Sequence, residues 1–124
     1  MKPFLSVIET PDANALCGKR CWLYSRTAND SGNPLVLEIQ LEQLRSCAGK
    51  YGMTITGEVS EVASGMTLDR VGFNEVMTAA RNDNFDVLLV KELGRISRDY
   101  AAAFDCLKTL EETGVVVVLA DNLG

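Results

Sequence analysis

The 124-residue chain contains no histidine. Any catalysis it performs must therefore manage without the commonest general base. Four cysteines are present, Cys17, Cys21, Cys47 and Cys106. No CxxC pair accompanies them, so Cys17 and Cys21 supply at most half of a zinc site. Four reduced thiols, as in a cytosolic protein, are the simpler reading. No apolar run approaches the length of a membrane span. The N-terminus, MKPFLSVIETPDANALCGKR, lacks a long apolar core and carries acidic residues, unlike a secretory signal. A cytoplasmic protein with no membrane partner is expected.

Nucleotide signatures are missing too: there is no GxxxxGK[ST], and no GxGxxG follows the first strand. No cluster of carboxylates suggests a metal, so neither cofactor nor metal is expected. Cations are outnumbered, with twelve Lys+Arg against seventeen Asp+Glu and a net charge of −5. That is the wrong sign for general DNA affinity, which needs many cations to displace phosphate counterions. Contact with nucleic acid would have to come from a local cluster or from another domain.

What is present fits one domain. Hydrophobic residues make up 47% of the chain, enough for an ordinary core. RCWLYSR, from Arg20 to Arg26, reads as a strand, with Trp22 and Tyr24 on one face and Leu23 and Ser25 on the other. The polar loop TANDSGNP follows, where Asn33 is a candidate helix cap and Pro34 a first helical residue. Leu37, Leu41, Leu44, Ala48 and Tyr51 then form an apolar stripe at helical spacing, which Gly52 is placed to end. MTITGEVS, Met53 to Ser60, reads as a second strand and EVASGMTLDR as a loop.

Phe73, Val76, Met77 and Ala80 mark a short helix. FDVLLV, Phe85 to Val90, is apolar throughout, as in a strand covered on both faces. Tyr100, Ala103, Phe104, Leu107 and Leu110 mark a further helix, closed by Gly114. VVVVLA, Val115 to Ala120, is a last buried strand. Alternating strands and helices of this kind predict an α/β fold, a mainly parallel sheet flanked by helices. Residues 1–19 read as a loose arm and 20–124 as the domain. The chain stops at ADNLG after a central-looking strand, as a piece of a longer protein would.

In an open parallel sheet, ligands bind beyond the carboxyl ends of the strands. Those positions hold Arg26 and Asn29; Ser64, Gly65, Asp69 and Arg70; Lys91, Arg95, Ser97 and Arg98; and Asp121 and Asn122. Guanidinium groups dominate this edge. Arginine is planar, always charged and able to fork two hydrogen bonds onto phosphate oxygens. Any one of these arginines is more simply a solvated or salt-bridged surface residue; four at one edge favour a phosphate.

The motifs YSR, LEIQLEQLRSCAGKYG, ASGMTLDRVGF, FDVLLVKELGRISRD and LEETGVVV occur in the order and at the spacing of one family. From about Trp22 to Leu123 the chain resembles the N-terminal catalytic domain of the serine site-specific recombinases, the resolvase/invertase family. The resemblance implies a parallel-rich α/β domain that cuts DNA without metal. A serine attacks the phosphodiester, forms a 5′-phosphoserine link and frees a 3′-hydroxyl. It also implies a homodimer or tetramer in the full-length protein, and DNA binding mainly through domains outside this chain.

Residue by residue, Arg26 is similar to the arginine beside the nucleophile, and Arg70, Arg95 and Arg98 to the phosphate-binding arginines. Gln40 matches a glutamine near the site; the alternative is an ordinary exposed helix residue. Arg81 is a looser match to a further basic residue. Two positions depart from the pattern. Ala28 stands where the nucleophilic serine belongs, and a methyl cannot attack phosphorus. Gly94 stands where many relatives have an aspartate linked to proton transfer. Ser25, Thr27 and Ser31 are substitute hydroxyls, but alternation along a strand turns Ser25 and Thr27 away from Arg26, and Ser31 suits turn formation. An engineered replacement, a natural variant and a degenerate domain kept for DNA docking or dimerisation all remain compatible with Ala28. So does a small α/β domain that binds a phosphorylated metabolite.

Overall fold

The computed structural model describes residues 13–28, 35–63 and 70–122. Strand β1, Arg20–Thr27, pairs in parallel with β2, Thr54–Val62, and with β3, Val87–Val90; β3 pairs in parallel with β4, Val116–Leu119. The order across the sheet is β2-β1-β3-β4, so the expected parallel α/β architecture is present. The connection from β1 leads outward to β2, and the next crosses back to β3 on the other side of β1. The direction of winding therefore changes at β1 and β3, which is where ligand crevices form in such sheets.

Helix α1 is the short Ala13–Leu16; α2 spans Leu35–Lys50, α3 Val71–Arg81 and α4 Tyr100–Glu112. Alternation along the strands separates two cores. Tyr24, Leu88, Val90, Val117 and Leu119 pack with Phe73, Val76, Leu107 and Leu110 of α3 and α4. Leu23, Val87, Leu89 and Val118 pack with Leu41, Leu44 and Ala48 of α2. This two-sided burial explains why β3 is apolar at every position. Gly52, at φ 74°, and Gly114, at φ 93°, follow α2 and α4 in the left-handed conformation, which glycine adopts at little cost.

Several expectations are corrected. The arm is not loose over its last residues: Leu16 is buried in the α2-side core, and Gly18 N–H donates to Gly52 O at 2.8 Å. Strand β2 continues to Val62, two residues past the expected end, because its pairing with β1 persists to Thr27. Tyr100 is 65% exposed, since α4 begins there at the sheet's rim, while the unexpected Cys106 is buried. β4 is as apolar as a central strand, yet it lies at the edge among the described strands. The cap at Asn33 and Pro34 lies outside the described residues.

Candidate functional site: an arginine-lined cleft

The carboxyl end of β1 carries a fully buried arginine. Arg26 is 1% exposed, and all three of its guanidinium nitrogens donate to main-chain carbonyls. Nε reaches Arg95 O at 2.9 Å, NH1 reaches Ala63 O at 2.8 Å and NH2 reaches Gly94 O at 2.6 Å. Arg26 thus joins the end of β2 to the 3₁₀ turn Leu93–Arg95 that follows β3. Its own main chain is gripped by Gln40 of α2: Arg26 N–H donates to Oε1 at 3.3 Å, and Gln40 Nε2 donates to Arg26 O at 3.2 Å. Gln40 is 5% exposed, so it is not an ordinary exposed helix residue. It pairs with both the N–H and the carbonyl of buried Arg26.

Arg70 is also buried, at 3% exposed. It immediately precedes α3, and its NH1 donates to Tyr24 Oη at 3.0 Å while NH2 donates to Ile96 O. Tyr24 Oη in turn donates to Glu61 at 2.5 Å, and the Glu61 carboxylate accepts from Gly72 N–H at 2.8 Å and Phe73 N–H at 2.9 Å. A carboxylate at the first N–H groups of α3 satisfies donors that the helix cannot pair internally. Burial, and then the bond to Glu61, push the Tyr24 phenol well above its ordinary pKa.

Arg95 is partly buried. Its NH1 donates to Arg26 O at 3.3 Å, its NH2 lies 3.6 Å from Glu92, and its Nε has no partner among the described residues. Arg98 is exposed. Arg26, Arg95 and Arg98 line one cleft of about 400 Å³ with Glu92, Gly94 and Tyr100. Crowding has an electrostatic signature: burial, then repulsion from Arg70, Arg95 and Arg98, lowers the pKa of Arg26 from its usual value. An anion in the cleft relieves that repulsion.

The remaining candidates divide clearly. Ala28 is exposed at the bend ending β1, two residues beyond Arg26. Ser25 is 0% exposed on the α2-facing side, and its Oγ has no partner among the described residues. Thr27 closes β1 opposite Val62 and is half-buried. Arg81 is exposed at the last residue of α3, next to the turn that precedes β3 and so near the strands' amino ends. It does not join the cleft. Ser31, Asn29, Ser64, Gly65 and Asp69 lie outside the described residues. Tyr24, which accepts from Arg70, and Glu61, which accepts from Tyr24, were missed; the only signal in the sequence is an acid lying eleven and twelve residues before the N–H groups that donate to it.

Among the described residues, no group of three or more His, Cys, Asp or Glu side chains is arranged to hold a metal ion. None of their helices is long and apolar enough to cross a membrane.

Fold and cleft define a parallel α/β domain with cationic side chains at its topological switch point. The family model "Resolvase, N terminal domain" matches residues 21–124, and the chain belongs to that family. Solved structures share its fold. The C-terminal catalytic domain of ISC1926 TnpA, an IS607-like serine recombinase, aligns with a TM-score of 0.77 and 22% identity over 82% of this chain and 70% of that one. For the N-terminal catalytic domain of TP901-1 integrase the values are 0.74 and 20%, over 83% and 78%. For a resolvase family site-specific recombinase from Streptococcus pneumoniae they are 0.73 and 24%, over 84% and 73%.

Proposed function

We propose that residues 20–124 are the catalytic domain of a longer serine recombinase, from a phage or other mobile element, and that its arginine cleft receives a DNA phosphodiester. The observation that carries this reading is the convergence of Arg26, Arg95 and Arg98 on one cleft, with Ala28 exposed two residues beyond Arg26. Arg98 and Arg95 supply forked donors for the non-bridging oxygens. Arg26 and Arg70, held from behind by carbonyls, Gln40 and the Tyr24–Glu61 pair, add fixed positive charge as charge grows on phosphorus. The acidic chain as a whole gives little general affinity, so DNA-binding domains elsewhere in the full-length protein, and its dimer or tetramer, bring the cytoplasmic substrate to the cleft.

In the family reaction, a bond forms from serine Oγ to phosphorus and the bond to the 3′-oxygen breaks. With Ala28 at that position the first bond cannot form, so this chain docks the phosphodiester without cutting it. Ser25 is buried on the other face and does not substitute.

An Ala28→Ser change in the full-length protein tests the reading. A covalent protein–DNA adduct mapped to position 28 is expected, with none for the alanine form. Failure of Ala28→Ser to form any adduct overturns the catalytic reading, and an adduct of the alanine form at Ser25, Thr27 or Ser31 overturns the assignment of position 28.

A further inference from the structure

The cleft holds one carboxylate that the functional reading leaves unused. Gly94 sits in the 3₁₀ turn, and a Cβ built on it would lie 2.6 Å from Glu92 Oε1. Glu92 therefore occupies the space that any side chain at position 94 would take. Its other oxygen, Oε2, lies 3.6 Å from Arg95 NH2, and the residue lines the same cleft as Arg26, Arg95 and Arg98. The missing side chain at position 94 and the acid at position 92 are thus one arrangement. The glycine admits the carboxylate, and the carboxylate faces the arginines.

We propose that Glu92 is a specificity-determining residue of this cleft. Its carboxylate, admitted by Gly94, shifts the arginine cluster away from doubly charged free or terminal phosphates and toward the singly charged phosphodiester. The inference rests on the reading of the cleft as a phosphate site. The physical reason is the scaling of Coulomb energy with ligand charge. Three guanidinium groups alone favour the more highly charged anion, such as the free phosphate that surrounds a protein in the cell. A negative charge beside them penalises a dianion twice as much as a monoanion. Glu92 also gives Arg95 a partner while the cleft is empty, which limits the repulsion among the three cations.

The test titrates the full chain with inorganic phosphate at pH 8, where it is mainly a dianion, and with dimethyl phosphate, a monoanion. Binding is followed by amide and guanidinium chemical shifts. For Glu92→Gln, inorganic phosphate should tighten about tenfold and dimethyl phosphate about threefold, so that the logarithms scale with ligand charge. Gly94→Ala should move both in the same direction, because its methyl evicts a carboxylate that is the mobile end of its side chain. Equal changes for the two ligands, no change in either, or no binding by any of the proteins overturns the proposal. The outcomes separate it from the functional reading. Charge-scaled tightening, with no adduct from Ala28→Ser, sinks the recombinase reading alone; an adduct with flat selectivity sinks the role of Glu92 alone.

Discussion

Replacing Glu61 by alanine removes one side chain and leaves three donors without their acceptor. Tyr24 is fully buried, and its hydroxyl proton points at Glu61 over 2.5 Å. Losing that acceptor costs about 1–3 kcal/mol, the penalty of a buried unsatisfied hydroxyl. The N–H groups of Gly72 and Phe73 lose a charged cap at the start of α3, worth about 1 kcal/mol by analogy with N-cap removal. The sum is about 3 kcal/mol, a large part of the roughly 5–15 kcal/mol that holds a domain together. In a chain of this size that corresponds to a fall of roughly 10 °C in Tm.

Urea denaturation of the wild type and of Glu61→Ala, with equal m-values, measures the loss directly. Glu61→Gln keeps an acceptor but not the charge and should lose about half as much. A cycle with Tyr24→Phe should show coupling of about 1 kcal/mol or more, because both variants remove the same hydrogen bond. A loss below about 0.5 kcal/mol for Glu61→Ala, or additivity of the two changes, refutes the reasoning.

Other expectations are as direct. Gln40→Ala strands the N–H of Arg26 and leaves its carbonyl only the bond from Arg95 NH1; it should cost about 1–3 kcal/mol by denaturation. Arg26→Lys keeps the charge but cannot reach three carbonyls at once; it should destabilise by about 2–4 kcal/mol and speed proteolysis near Leu93–Arg95. Asp86 accepts three hydrogen bonds from Arg20, which hold its pKa at about 2 against 3.8. A depressed pKa means that its stabilisation is complete above pH 3.8 and fades as pH falls toward 2. The stability difference between wild type and Asp86→Asn should shrink over that window and stay flat above it. Burial pushes the Cys21 and Cys106 thiols up to about 11 and about 12, so iodoacetamide at pH 8 should modify exposed Cys17 first, as mass spectrometry will show.

Much of the architecture was legible because it obeys local rules. The period-2 exchange of Leu23 and Tyr24 between faces, the stripe Leu41, Leu44 and Ala48, and the glycines Gly52 and Gly114 all follow from short-range geometry. The family motifs then grouped Arg26, Arg70, Arg95 and Arg98; Arg26, Arg95 and Arg98 share the cleft, whereas Arg70 does not line it and is buried against Tyr24 and Ile96, and the loosely aligned Arg81 lies apart. Illegible were the partners. The acceptors of Arg26 are carbonyls of Ala63, Gly94 and Arg95, which every residue type carries, so no letter in the sequence announces them. Glu61 reads as one acid among seventeen Asp and Glu until the fold sets it at the start of α3. Leu16 lies outside any periodic segment, and only tertiary contact with the α2-side core shows why it is apolar.

The three carbonyl bonds of Arg26 also bear on how such a chain changes over generations. An arginine that ties β1, β2 and the turn after β3 together is kept by the need to fold, whether or not a phosphate ever visits. Loss of the serine removes a reaction and leaves the scaffold untouched, whereas loss of Arg26 removes the scaffold. A lineage can therefore shed its chemistry by one methyl-bearing residue and still carry Arg26 as a fossil of it. Survival of Arg26 in a descendant is accounted for by stability alone, and the residue two places further along the chain is the one that bears on whether bonds are still being broken.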